Sequence, residues 1–168
     1  VPVGGLDDLY VLAPQDMLLH SAAHLFLNGE FERGLRDLND FRRLGQQFAD
    51  TTDFWAALAT RATRLDLVEP LAYAVRYANR LLNAGIDETG TLKVPRSTGR
   101  LMDPLLLRGL QPNHSSAHDR WTPLALFALY VRGHYQRMPF HLLLPHLLYK
   151  GTLAKFHEQA LQDENQKH

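Results

Sequence analysis

The stretch EFERGLRDLNDFRRLGQQF, from Glu30 to Phe48, decides the fold class. Phe31, Leu35, Leu38, Phe41, Leu44 and Phe48 recur at spacings of three and four, which brings them to one side of an α-helix. Opposite that stripe, steps of about 100° per residue gather Arg33, Arg36, Asp40 and Arg43. Gly34 and Gly45 lower the helical propensity slightly.

Toward the N-terminus, PQDMLLHSAAHLF reads as a helix from about Pro14 to Leu27. Its proline falls in the first turn, where no N–H is needed, and Asn28 and Gly29 end it. Leu18, Leu19, Ala22, Ala23, Leu25 and Phe26 share one broad arc, while His20 and His24 lie on the far side with Met17 and Leu27. Ahead of it, VPVGGLDDLYVLAP mixes strand-like and turn-like residues and reads as a short extended lead-in over residues 1–13. Toward the C-terminus, Thr52 or Asp53 is placed to cap a third helix, and LVEPLAYAVRYANRLLNAG gives a fourth that Gly85 closes, completing a set over 14–85.

Residues 86–120 read as loop-rich, with IDETGTLKVPRSTG as a loop and a short helix near Leu105. Helices resume over 121–168, first at Thr122 and Pro123 and then through PFHLLLPHLLYKGTLAKFHEQALQ, with a break or kink at Pro145. Since no segment keeps a period of two beyond a few residues, the expected fold is all-α. It is an irregular bundle of about six or seven helices in a single domain over 1–168.

A length of 168 residues with 45% hydrophobic and 21% charged residues suits one domain with a real core. Eighteen basic residues balance eighteen acidic ones, so no whole-molecule field draws in nucleic acid or anionic lipid. The lack of cysteine excludes disulfides, thiolate catalysis and cysteine-based zinc sites. No run reaches the roughly 20 apolar residues of a spanning helix, and the expected location is cytoplasmic, with no membrane partner. The chain opens on Val1 rather than methionine and reads as a piece of something longer.

Two histidines at i and i+4 are compatible with zinc, but Ser21 stands where an HExxH site has its glutamate, and no third ligand is in sight. No metal ligand is therefore assigned, and His20 and His24 read either as hydrogen-bonded interhelical residues or as part of a substrate site. The stripe of Arg36, Asp40 and Arg43 reads either as a solvated face of ion pairs, each worth a few tenths of a kcal/mol, or as an anion pocket in which guanidinium groups take phosphate. His114 and His118 beside Asp119 read as a surface loop. Arg132, His134, Arg137, His141, His146 and Lys150 lie among large apolar residues and read as a packed terminal hairpin rather than a membrane-surface helix. Neither GxxxxGK nor GxSxG occurs.

The order of motifs VLAPQDMLLHSAAHLF, GLRDLNDFRRL and DFWAALATRATRLDLVEPLAYAVRYANRLL resembles the C-terminal helical part of a family of uncharacterised bacterial nucleotidyltransferases related to the polymerase-β superfamily. The family pattern L-x-P-E-D-x-L-L-H-x-x-x-H followed by L-R-x-L-x-D falls on Leu12, Pro14, Asp16, Leu18, Leu19, His20, His24, Leu35, Arg36, Leu38 and Asp40. RMPFHLLLPHLLYK looks like the family's closing helices. Gln15 departs from the pattern's glutamate, Asp37 stands where an aromatic is common, and LFLNG follows His24 in place of lysine and histidine.

The superfamily's catalytic signature, a Gly-Ser pair followed by Asp-x-Asp, does not occur in these residues. The resemblance therefore implies a helical substrate-side domain, inactive alone, beside an upstream catalytic domain that transfers a nucleotidyl group from an NTP to an unknown acceptor. Mg²⁺ would be held by that other domain's carboxylates. It further implies that His20, His24, Arg36, Asp40 and Arg43 face the substrate. The other reading is a stand-alone helical binding or interaction module without catalysis.

Overall fold

The computed structural model describes residues 2–3, 6–49, 53–86, 96–112, 114, 116–136 and 141. Along these run β1 (Pro2–Val3), β2 (Leu6–Tyr10), α1 (Pro14–Leu27), α2 (Gly34–Phe48), α3 (Phe54–Arg64), α4 (Val68–Leu82), α5 (Arg96–Gly109) and α6 (Thr122–Tyr135). The fold is all-α with six helices among the described residues. The extended lead-in takes the form of a small antiparallel hairpin that pairs Pro2 with Tyr10 and Val3 with Leu6. The chain divides into two compact units, Val1–Gly133 and His134–His168, and the packing described below lies within the first. No helix among the described residues is long and apolar enough to cross a membrane.

α1 packs against α2, α3 and α4. It buries Leu18, Leu19, Ala22, Leu25 and Phe26, five members of the arc its spacing defines, while Ala23 sits at the edge, half-buried. α4 is covered more completely, burying Pro70 to Val75 together with Tyr77 and Ala78, as a helix enclosed by its neighbours must. Phe26 joins the two. Its ring lies 6.1 Å from Tyr77, nearly parallel, and 5.7 Å from Tyr73, contacts worth about 0.5–1.5 kcal/mol beyond the area they bury.

Several helix ends differ from the expected ones. Asp53 precedes α3 in a left-handed conformation, φ 63°, and its side chain makes no capping hydrogen bond. α4 closes at Asn83, φ 53°, rather than at Gly85; the Asn83 and Ala84 amides donate to the carbonyls of Asn79 and Ala78. The Asn79 side chain then clasps Ile86, donating to its carbonyl at 2.7 Å and accepting from its amide at 2.9 Å. An asparagine tolerates the left-handed region and can fill the role expected of glycine.

Glycines in α2 serve packing more than they weaken the helix. A Cβ on Gly34 would stand 3.0 Å from the Gly109 carbonyl oxygen, and one on Gly45 would stand 3.3 Å from the Trp55 ring. The tightest approach joins α6 to the turn after α1, where a Cβ on Gly133 would lie 2.7 Å from the Gly29 Cα. Beside it, Arg132 donates to the Phe26 carbonyl at 3.1 Å and to Glu69 at 2.9 Å, with its guanidinium 5.9 Å from the Tyr73 ring. One side chain thus satisfies a carbonyl at the end of α1 and ties α6 to α4.

α5 begins at Arg96, so residues 96–99, expected as loop, form its first turn; RSTGR carries no apolar periodicity to announce it. Residues 87–95 lie outside the described residues. Asp103 anchors α5 to α4, accepting from Tyr77 at 2.6 Å, Arg76 at 2.8 Å and Arg80 at 3.2 Å. Asp119 starts α6 by accepting from the Trp121 amide and the Thr122 hydroxyl, while both its oxygens face Arg108. The Arg108 guanidinium, together with those hydrogen bonds, holds the Asp119 carboxyl well below the usual range. Asp119 is thereby engaged in a cap, and His114 turns instead to Ser116 at 2.8 Å. Arg137, Pro145, His146 and Lys150 lie outside the described residues, so the terminal hairpin expected around them does too.

Tyr73 and Tyr77 make a pair for testing this core. Burial raises the Tyr73 hydroxyl to about 12, with the Glu69 carboxylate adding to it, yet among the described residues that buried hydroxyl has no hydrogen-bond partner within range. Tyr77, by contrast, donates to the Asp103 carboxylate. Tyr73→Phe is expected to be neutral or stabilising by up to about 1 kcal/mol, and Tyr77→Phe destabilising by about 1.5–3 kcal/mol. Urea denaturation of the two variants checks this, and equal losses would contradict it.

A hollow between α1 and α2

The flank of α1 that turns away from the core carries Met17, His20, Ser21 and His24, and the adjoining flank of α2 carries Asp37, Asp40 and Leu44. Residues spaced by three and four lie on one helix face, so each set follows from its own helix. Together with Leu12 they line a hollow of about 400 Å³. The imidazole centroids of His20 and His24 are 6.3 Å apart with the rings tilted by 43°. Both histidines and Asp40 are exposed, and Asp37 is half-buried.

Among the described residues, neither histidine is hydrogen-bonded to Asp40, and neither Asp37 nor Asp40 enters an ion pair. The hydrogen-bonded clamp expected between α1 and α2 is therefore not how these residues are used. The two helices meet through their apolar faces, and the polar residues are left at the rim. Two carboxylates that accept and two imidazoles that donate or accept can bind hydroxyl or amine groups, and an imidazole can move a proton near neutral pH. No three histidine, aspartate or glutamate side chains among the described residues are grouped to hold a cation.

Arg36 lies on the other flank of α2. With Arg33, Leu35, Asn39, Leu82, Gln111 and Pro112 it lines a separate hollow of about 640 Å³. Arg43 is exposed and lines neither hollow. The five residues singled out in the sequence are thus divided: His20, His24 and Asp40 come together, while Arg36 and Arg43 stand apart from them. Nor do Arg36, Asp40 and Arg43 form the ion pairs that one shared polar face suggested. The hydrogen bonds on this face run from Arg42 to Asn39, at 3.0 and 3.2 Å.

Sequence reasoning passed over Asp37, although its spacing of three from Asp40 and seven from Leu44 marks it as part of the same flank. Asp16 belongs elsewhere, because both its oxygens accept from Arg61 at 2.8 and 3.3 Å and so link α1 to α3. That pairing raises Arg61 above its ordinary value.

Residues 1–83 match the model of a family described as uncharacterised nucleotidyltransferase. Those residues, just under half of the chain, are similar to that family. The match takes in β1 to α4 and every residue lining the hollow between α1 and α2. No curated protein and no solved structure shows a significant match. Within the matched residues the motif positions separate by environment. Leu18, Leu19 and Leu38 are core, Asp16 is paired, and His20, His24 and Asp40 are left open.

If the open carboxylates serve a ligand and not the fold, neutralising them leaves stability intact. Asp37→Asn and Asp40→Asn are each expected to change unfolding free energy by less than about 0.5 kcal/mol, as read by urea denaturation. A loss above about 2 kcal/mol would assign them a structural role instead.

Proposed function

We propose that this chain supplies the helical, substrate-side part of a nucleotidyltransferase, and that the hollow between α1 and α2 forms a wall of the cleft in which a nucleotidyl group passes from an NTP to an acceptor. The family match over residues 1–83 supports the chemistry. The observation that carries the assignment of the wall is that His20, His24, Asp37 and Asp40 converge on one open hollow with no structural partner among the described residues.

The transfer itself needs carboxylates that hold Mg²⁺ and activate the attacking hydroxyl. With no Asp-x-Asp in these 168 residues, those groups belong to an adjoining catalytic domain in this reading. The hollow's contribution is recognition. Asp37 and Asp40 accept hydrogen bonds from the acceptor's hydroxyl or amine groups, and the imidazoles of His20 and His24 orient it or receive a proton. Tyr10, Val11 and Leu12, exposed at the end of β2 and just beyond it, offer the catalytic domain an apolar edge. A stand-alone binding module would use the same hollow without the chemistry.

Two observations test this. The coding sequence before Val1 should contain Gly-Ser followed by Asp-x-Asp within about 100 residues, one domain length. The longer protein, supplied with NTP and Mg²⁺, should release pyrophosphate or label an acceptor. Asp40→Asn combined with His24→Gln should cut that turnover at least tenfold, a loss of about 1.4 kcal/mol in transition-state stabilisation. Full turnover in that double variant would remove the hollow from the reaction, and a start codon immediately before Val1 would favour the binding module.

A further inference from the structure

The flank of α2 that carries Arg36 contains the larger hollow, about 640 Å³, and it differs in character from the wall just described. Arg33, the residue just before α2, and Arg36, in its first turn, both border this hollow. Neither guanidinium is in an ion pair or hydrogen bond among the described residues, whereas Arg61, Arg76, Arg80, Arg108 and Arg132 all pair with carboxylates. Glu32 also borders the hollow but binds neither arginine. Half-buried Leu35 and Leu82 form an apolar floor with Pro112, and the amides of Asn39 and Gln111 stand at the edge.

We infer that this hollow binds a phosphorylated small molecule, whose phosphates lie between Arg33 and Arg36 while its less polar body rests on Leu35, Leu82 and Pro112. A guanidinium offers phosphate two parallel N–H donors, and two of them beside one hollow can share a diphosphate. The apolar floor suits a ligand with a body beyond the phosphate, since burying it there releases water from both surfaces. This site is separate from the wall between α1 and α2. Loss of the effect predicted for Asp40 would leave it untouched, and its own failure would leave that wall in place.

Titration calorimetry on the whole chain at about 0.1 M ionic strength, with inorganic pyrophosphate, ATP and adenosine as probes, tests the inference. Pyrophosphate and ATP are expected to bind, with adenosine at least tenfold weaker. Arg33→Gln and Arg36→Gln should each weaken both phosphate probes by about fivefold or more. Arg43→Gln, an exposed arginine outside the hollow, should change them by less than about twofold, because screening weakens charges beyond roughly 10 Å. Glu32→Gln should tighten them by removing a like charge.

Urea denaturation should show wild-type stability for each of these surface variants, separating binding from folding. Absence of binding by pyrophosphate and ATP at millimolar concentration would overturn the inference. So would an Arg43→Gln loss as large as that of Arg36→Gln, which would mean that overall charge and not the hollow attracts phosphate.

Discussion

The structure depends first on the way α1 divides its circumference. Leu18, Leu19, Ala22, Leu25 and Phe26 enter the core, and a turn of 3.6 residues then forces His20 and His24 onto the rim. Each buried leucine removes apolar surface worth about 1.5–3 kcal/mol from water, far more than an exposed imidazole could contribute. Because α2, α3 and α4 pack on the same helix, their placement is set by that arc. The open side of α1 is consequently free to vary without loss of the fold, and it is there that Asp37 and Asp40 of α2 come alongside.

The polar side of α2 is broad enough to serve two directions. Asp37, Asp40 and Leu44 turn toward α1, whereas Arg33, Arg36 and Asn39 turn toward the end of α4 and the segment after α5. A helical projection puts Arg36 beside Asp40 because it measures angle alone. Which flank a side chain serves is decided by the neighbouring helices. The separation yields an acidic hollow with imidazoles and a larger hollow with free guanidinium groups, two chemistries on opposite sides of one helix. Elsewhere Arg61, Arg76, Arg80, Arg108 and Arg132 are bound to carboxylates, at Asp16, Asp103, Asp119 and Glu69. Their pairing holds helices together, and among the described residues Arg33 and Arg36 make no such pair.

Strong periodicity made the first four helices legible. The apolar arc of α1 stands where its spacing put it; in α2 Leu38 and Phe41 are buried but Leu35 and Leu44 are half-buried at the two hollows, and Phe54, Leu58 and Ala62 continue the pattern in α3. Less legible were features that depend on contact between distant segments. The first turn of α5 lacks an apolar signature. Asn83 takes the left-handed position that Gly85 was expected to hold, while Asp119 is drawn into a cap by Arg108 and Thr122. Gly34 and Gly45 resembled defects in a helix, but their value is the approach of Gly109 and Trp55 that a side chain would obstruct. At the candidate site, His20, His24 and Asp40 were visible from spacing and family resemblance. Asp37 and Arg33 needed the neighbouring helices to give them a direction.

The central claim is that α1 carries the fold on one side and an exposed polar surface on the other, so that the two can be changed separately. Urea unfolding of Leu18→Ala, set against a His20→Gln and His24→Gln double variant, measures this most directly. The account predicts that Leu18→Ala lowers unfolding free energy by about 2–5 kcal/mol and that the double variant changes it by less than about 0.5 kcal/mol. A loss in the histidine variant comparable to that of Leu18→Ala would contradict it, since the histidines would then belong to the packing.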